Sequence, residues 1–249
     1  MGSLILAVRF LTVVPVPGRE AQGLSAVGRA AWWFPAVGLL LGLGLAGTLA
    51  VLHALFPPLL AAALLVAGWK AVTGGIHLDG LADVLDGLAG RDRAQRLAIM
   101  RDSRVGVFGA AGLTLYLLLV VTAVAALPDP VRGRLLVLAP MVGRVAPLLV
   151  GVWLRAATPG EGLGAAFVAG LSRWAGPFWA LGGIALAGAL LGSWGAGIPP
   201  LAWVAAILGA GFVARRLGGL TGDVLGAVVE LAELGALLAG AALSRRGLF

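Results

Sequence analysis

Residues 106–127 read GVFGAAGLTLYLLLVVTAVAAL, an apolar run that contains no charged side chain. An α-helix needs about 20 consecutive apolar residues to cross the hydrocarbon core of a bilayer, and this run has that length. A strand of a membrane β-barrel would instead alternate between apolar and polar residues, and this run does not alternate. The stretch therefore predicts a transmembrane helix.

Similar runs recur on both sides, and we predict an all-α, polytopic transmembrane helix bundle of about seven spans. The other six predicted spans cover residues 31–56, 59–73, 135–154, 177–196, 199–214 and 220–243. The composition agrees, because 60% of the residues are hydrophobic and only 12% are charged, whereas soluble domains are about 25% charged. No long linker interrupts the chain, so we expect residues 1–249 to form a single domain.

Two apolar stretches are too short to span a bilayer. Residues 3–14 are expected to lie in the membrane interface or to re-enter the membrane, and residues 160–173 to form a connecting or in-plane segment. The 40 glycines fit closely packed helices, since small residues let helix backbones approach. Gly38 and Gly42, and likewise Gly188 and Gly192, have the spacing of such contacts.

The net charge of +7 comes almost wholly from arginine, because Lys70 is the only lysine. Cytoplasmic loops retain positive charge, so an N-terminus inside the cell is predicted. This orientation puts most of the arginine-bearing loops in the cytoplasm but leaves Arg132, Arg134, Arg245 and Arg246 outside. The arginines are scattered between apolar segments rather than gathered in a basic domain, so no nucleic-acid partner is expected.

Three aspartates stand out in the polar segment that follows the second span. Asp79, Asp83 and Asp86 are spaced by four and three residues, which puts them on one helix face. Such anions repel one another unless a cation lies between them, and carboxylate oxygens suit Mg²⁺. The alternative is three interfacial carboxylates paired with loop arginines. His77 nearby is more typical of a hydrogen-bond partner than of a metal ligand, and without cysteine a zinc site is not expected.

A second candidate segment is the arginine-rich loop before residue 106. Arg101 and Arg104 could clamp a diphosphate by bidentate hydrogen bonds, and Asp102 could complete a metal shell or orient an arginine. The alternative is a basic loop that only sets the topology of the chain.

A third candidate segment begins the last predicted span. Gly222 at a helix start offers free backbone N–H groups to an anion. Asp223 and Glu230 follow on one face of that helix, and a carboxylate deep in a span is a functional candidate by default. The alternative for Glu230 is a pair with a buried cation such as Arg144. Lys70 either snorkels toward the cytoplasmic boundary or faces a phosphate.

These segments together resemble the cobalamin synthase family, whose members are adenosylcobinamide-GDP ribazoletransferases. The matching strings are Gly74–Gly87, Met100–Gly109 and Gly219–Asp223 with Glu230, and the opening segments around Phe10–Pro15 and Trp33–Gly38 also match. The resemblance implies transfer of the adenosylcobinamide phosphoryl group from its GDP adduct to α-ribazole or α-ribazole 5′-phosphate. It implies release of GMP, a requirement for Mg²⁺, and a multi-pass protein of the bacterial or archaeal inner membrane.

Our hypothesis for the residue roles follows that chemistry. The expected metal ligands are drawn from six carboxylates: Asp79, Asp83, Asp86, Asp102, Asp223 and Glu230. The expected substrate-binding groups are Arg101, Arg104, Gly222 and Lys70. The general base is expected to be one of the carboxylates or His77. The site is expected to face the cytoplasm. The sequence is also compatible with a homo-oligomer.

Two other function classes fit the same chemistry in part. A CDP-alcohol phosphotransferase or an aspartate-rich prenyltransferase would also bind a diphosphate through metal ions held by aspartates. This sequence does not reproduce the aspartate spacings of those families. A transporter would also carry intramembrane charges and glycine-broken helices, but it predicts inverted repeats, and the sequence shows no convincing duplication.

Overall fold

The structure is a computed structural model that describes residues 2–18 and 25–249. Within these ranges the chain forms twelve α-helices and no strand longer than the single bridge between Ala156 and Leu220. A 3₁₀ turn at Ala31–Trp33 joins α2 to α3. The helices are α1 Gly2–Leu11, α2 Ser25–Ala30, α3 Phe34–Leu55, α4 Pro58–Val72, α5 Ile76–Gly87, α6 Arg93–Ile99, α7 Val107–Ala126, α8 Val131–Trp153, α9 Gly162–Gly170, α10 Ala175–Gly195, α11 Ile198–Leu217 and α12 Gly222–Arg245.

Six helical stretches in the described part of the chain are long and apolar enough to cross a membrane, and α4 with α5 would make a seventh. The six are Ala26–Leu55, which contains α3, and the helices α7, α8, α10, α11 and α12. This confirms the predicted polytopic helical bundle. The two short apolar segments form the short helices α1 and α9.

The second predicted span differs from the expectation, because residues 59–73 do not form a complete crossing. Helix α4 ends at Val72, and the chain bends by 91° before α5 begins. Gly74 and Gly75 make the bend with φ values of 63° and 67°, a left-handed conformation that glycine adopts without steric cost. The aspartates therefore lie on the second half of a broken helix, an arrangement that membrane proteins use where backbone lines a polar site.

Helix α8 is the centre of the bundle and packs against α3, α10 and α12. Gly38 and Gly42 of α3 face its backbone so closely that an added Cβ would lie 2.5 Å from the Pro140 carbonyl oxygen and 2.4 Å from that of Val137. The first glycine pair therefore marks a helix contact, as predicted. The second pair does not, because Gly192 has a φ of 75° at a kink in α10.

Helix α12 brings the polar segments together. It runs antiparallel to α5, since an added Cβ at Gly226 would contact His77 and one at Gly80 would contact Asp223. The loops that follow α8 and α11 meet beside this contact, where the Leu220 N–H donates to the Arg155 carbonyl over 2.8 Å. Arg93 of α6 ties the same region together by donating to the carbonyl groups of Leu217, at the end of α11, and Ala157, in the loop after α8. Residues distant in the sequence thus meet at one end of the bundle.

Candidate active site

An acidic cleft of about 280 Å³ opens at this end of the bundle. It is lined by residues of α5, α6, α9 and α12 and of the loop after α8. Its polar side chains include Asp79, Arg101, Thr158, Glu161 and Asp223. The aspartate segment, the arginine loop and the start of the last span therefore meet at this cleft.

Two aspartates, Asp79 and Asp223, line the cleft, and Asp83 lies near them without lining it. Asp79 and Asp83 follow one another by one turn of α5, and the close approach of Gly80 to the Asp223 backbone brings the start of α12 beside them. Their negative charges repel one another. Asp79 is exposed and the other two are partly buried. Across the described residues, however, no three His, Cys, Asp or Glu side chains are already close enough together to hold a metal ion.

Asp86 has a different environment from the other two aspartates of α5. It is buried, and its two carboxylate oxygens accept hydrogen bonds from the backbone N–H groups of Gly106 (2.7 Å) and Gly109 (2.8 Å). These donors lie in the first turn of α7, so Asp86 caps that helix. An added Cβ at either glycine would lie within 2.4 Å of an Asp86 oxygen, which explains both glycines. The sequence reasoning missed this capping role.

The arginine loop divides between the cleft and the solvent. Arg101 lines the cleft, whereas Arg104 does not and has 87% of its side chain exposed. Asp102 accepts hydrogen bonds from the Arg104 guanidinium (2.5 Å) and backbone N–H (3.0 Å). These bonds lower the pKa of Asp102 to about 2 and raise the pKa of Arg104. Of the two roles expected for Asp102, the structure gives it that of orienting an arginine.

Two helices begin at the cleft, and the backbone N–H groups of a helix's first turn have no partner within the helix. Helix α12 starts at Gly222, behind a Thr221 cap whose hydroxyl accepts from the Val224 N–H over 3.2 Å. Helix α9 starts at Gly162, and Gly164 allows it to pack directly against the Leu220 carbonyl. The segment predicted only as a connection or an in-plane stretch therefore forms one wall of the cleft, because its glycines permit this approach.

Lys70 and Glu230 belong to a buried ionic cluster instead of the cleft. The Lys70 Nζ lies 2.5 Å from Glu230 and 2.9 Å from Glu233, and 3.2 Å from the Tyr116 hydroxyl. The Tyr116 hydroxyl also donates to Glu230, and Arg144 pairs with Glu233. Each member is less than 8% exposed, and the charges balance with two cations and two anions.

This ionic cluster corrects two expectations. Lys70 does not snorkel to the boundary, because its ammonium group is held by two glutamates inside the bundle. Glu230 is paired with a buried cation, as its alternative predicted, but the partner is Lys70, and Arg144 pairs with Glu233. Tyr116 and Glu233 were missed as members. A glutamate one turn after Glu230 on the same helix face was the available signal for Glu233.

His77 lies beside the cleft but does not line it. It is buried and faces a small cavity of about 40 Å³ together with Arg144 and three phenylalanines, Phe10, Phe34 and Phe167. The cavity adjoins the cleft, because Ile76, Leu163 and Gly222 line both. His77 is therefore separated from the aspartates of the cleft by an apolar wall.

Comparisons with known proteins agree across the whole chain. A protein-family model described as cobalamin-5-phosphate synthase matches residues 3–241. The chain is 43% identical to the adenosylcobinamide-GDP ribazoletransferase of Ectopseudomonas mendocina, over 94% of this chain and 96% of that protein. It is 38% identical to that of Geotalea daltonii, over 97% of both chains, and 36% identical to that of Brevibacillus brevis, over 96% and 97%. No solved structure matches the chain.

Proposed function

The chain belongs to the cobalamin-5-phosphate synthase family, and we propose that it is an adenosylcobinamide-GDP ribazoletransferase that works at the acidic cleft. The relatives' name describes a transfer from a diphosphate-linked donor to the nucleoside ribazole. In this reaction a ribazole hydroxyl oxygen forms a bond to the phosphorus nearer the cobinamide. The bond from that phosphorus to the bridging oxygen breaks, GMP leaves, and the hydroxyl proton passes to a base.

The observation that carries the proposal is that groups of both signs of charge line one cleft. Asp79, Glu161 and Asp223 supply negative charge. Arg101 supplies positive charge, and the first turns of α9 and α12 supply backbone N–H donors. A diphosphate bound with a divalent cation needs both, because its oxygens accept hydrogen bonds while the cation requires anionic ligands.

Mg²⁺ fits the donor set of the cleft, since carboxylate oxygens are the ligands that this hard cation prefers. Asp79, Asp83 and Asp223 would hold it, whereas Asp86 is already engaged as the cap of α7. When bound, the ion would neutralise charge on the diphosphate and on the leaving GMP. Arg101 and the α12 N-terminus would orient the phosphates. A cleft carboxylate outside the ion's coordination would accept the hydroxyl proton.

We further propose that the cleft faces the cytoplasm of a bacterial or archaeal cell from the inner membrane. The end of the bundle that carries the cleft also carries Arg91–Arg104, Arg155, Arg215 and Arg216. Positive charge of this kind stays on the cytoplasmic side. The cysteine-free chain allows a direct measurement. A single cysteine at Thr158 should resist a membrane-impermeant maleimide in intact cells, and one at Asp129 should react.

The activity is tested by comparing aspartate variants that keep side-chain shape but lose charge. Asp79→Asn and Asp83→Asn should each lower the rate of GMP release from adenosylcobinamide-GDP and α-ribazole by about 100-fold or more, the range for lost transition-state charge stabilisation. Asp129→Asn is the matched control, because Asp129 is an exposed carboxylate at the opposite end of the bundle. A folded Asp83→Asn protein with near-normal GMP release would contradict the metal assignment.

A further inference from the structure

A second concave surface lies on the membrane-facing side of the bundle and shares no residue with the acidic cleft. It is a groove of about 450 Å³ between the C-terminal halves of α8 and α11, called here the α8–α11 groove. Trp153, Leu208 and Phe212 contribute to its apolar walls, and Arg215 and Arg216 close one end. The groove therefore joins an apolar channel to a concentrated positive charge.

The apolar part of the groove can hold a stretch of a lipid chain. From Phe212 to Ile207 it follows α11 for about 7.5 Å, at 1.5 Å per residue. Leu208 is 68% exposed and Trp153 is 79% exposed. The groove passes over Gly211, where an added Cβ would have no atom within 4 Å. The space over Gly211 is thus open.

The two arginines at the mouth have no acidic partner in the part of the chain that the structure describes. Within the described residues, neither Arg215 nor Arg216 lies within ion-pair distance of a carboxylate. The Arg216 guanidinium lies 3.6 Å from the centre of the Phe212 ring, and it donates to the Phe212 carbonyl over 3.3 Å. Both contacts keep it beside the groove. Arg96 adds a third positive charge by donating to the Arg216 carbonyl over 3.4 Å.

We propose that the α8–α11 groove binds an anionic phospholipid. The lipid phosphate would accept hydrogen bonds from Arg215 and Arg216, and one acyl chain would lie along Gly211 toward Ile207. Basic sites between transmembrane helices at the cytoplasmic side favour anionic headgroups. The absence of a nearby carboxylate in the described chain selects against zwitterionic lipids, whose ammonium group would find only arginines. This proposal does not depend on the enzymatic activity.

The test is native mass spectrometry of the full-length protein in detergent with equal amounts of phosphatidylglycerol and phosphatidylcholine. The wild-type protein should retain phosphatidylglycerol preferentially. Arg215→Gln/Arg216→Gln should lower phosphatidylglycerol retention at least about tenfold, as expected for the loss of charge-assisted hydrogen bonds. The matched control is Arg245→Gln/Arg246→Gln, which removes another exposed arginine pair that does not line the α8–α11 groove. It should bind as the wild-type protein does.

A second variant tests the chain position without changing charge. Gly211→Leu places an apolar side chain in the open space of the groove and removes a helix-interior glycine, so it should fold. It should reduce phosphatidylglycerol retention while both arginines remain. Equal retention of the two lipids by the wild-type protein would overturn the proposal. So would an unchanged preference in either the double arginine variant or Gly211→Leu.

Discussion

Replacing Lys70 with methionine removes one cation from the buried ionic cluster and keeps an unbranched chain of similar length. Lys70 makes two charged contacts there, at 2.5 Å to Glu230 and 2.9 Å to Glu233. Removing one partner of a buried ion pair costs about 3–5 kcal/mol, because the remaining charge has lost its compensation. Two charge-assisted hydrogen bonds at about 1.5–3 kcal/mol each give about 3–6 kcal/mol, which agrees with that range.

The assay is thermal unfolding of the purified protein in detergent. For a chain of about this size, 1 kcal/mol corresponds to about 2–4 °C, so Lys70→Met should lower Tm by about 6–20 °C. The double variant Lys70→Met/Glu230→Gln leaves Arg144 balanced by Glu233 and should recover at least half of the loss. Arg104→Met is the control, because the Arg104 side chain is exposed in a loop, and its Tm should change by less than about 2 °C.

The same experiment separates a structural Lys70 from a substrate-binding one. A lysine that binds the diphosphate of the donor would, when replaced, raise KM for adenosylcobinamide-GDP and leave Tm unchanged. If Lys70 instead holds the ionic cluster together, its replacement lowers Tm, and the variant's loss of activity follows the fraction of unfolded protein. A normal Tm with a raised KM would therefore refute the assignment of Lys70 to the cluster.

Three further predictions follow from the site and the fold. Asp86→Ala should lower stability by about 0.5–2 kcal/mol, the cost of a lost helix cap. The Mg²⁺ concentration for half-maximal activity should not change. A change in that concentration would instead make Asp86 a metal ligand. Chelation with EDTA should abolish GMP release, and added Mg²⁺ should restore it. Asp223→Asn should raise the Mg²⁺ concentration for half-maximal activity at least about tenfold. An unchanged concentration would remove Asp223 from the metal site. Gly42→Val should collide with the Val137 carbonyl and lower stability by at least about 1–3 kcal/mol in thermal unfolding. Gly44→Val, in open space on the same helix, should not lower stability in this way. Equal losses of stability in the two variants would argue against the close contact of α3 with α8.

The fold was largely predictable, because a helix that faces lipid can be recognised from the run of apolar residues in its own segment. Each long apolar run became a helix, since a bilayer requires every backbone group to bond within its own segment. The break between α4 and α5 was not predicted, although Gly74 and Gly75 stood at that position. A glycine pair permits a bend without specifying one. The contact between α12 and α5 that fixes the bend joins residues about 150 positions apart in the sequence.

The sequence was sufficient to name the residues of the site but not to assign the role of each one. Helical spacing correctly placed Asp79 and Asp83 together, because that geometry is local. It also put Asp86 on the same face, but the α7 N-terminus, contributed by a later segment, uses that carboxylate as a cap. Lys70 and Glu230 lie 160 residues apart, and only the tertiary fold brings the two side chains together.

One physical criterion separates the structural carboxylates from those of the cleft. Deep in the bundle, Glu230 and Glu233 are neutralised by cations of the chain itself, as burial demands. At the cleft, Asp79, Asp83 and Asp223 have no ion-pair partner among the described residues. Lys70 joins α4 to α12 through this cluster one turn before the bend at Gly74 and Gly75, after which α5 runs along α12. The chain thus retains a cleft whose missing positive charge a bound divalent cation would supply.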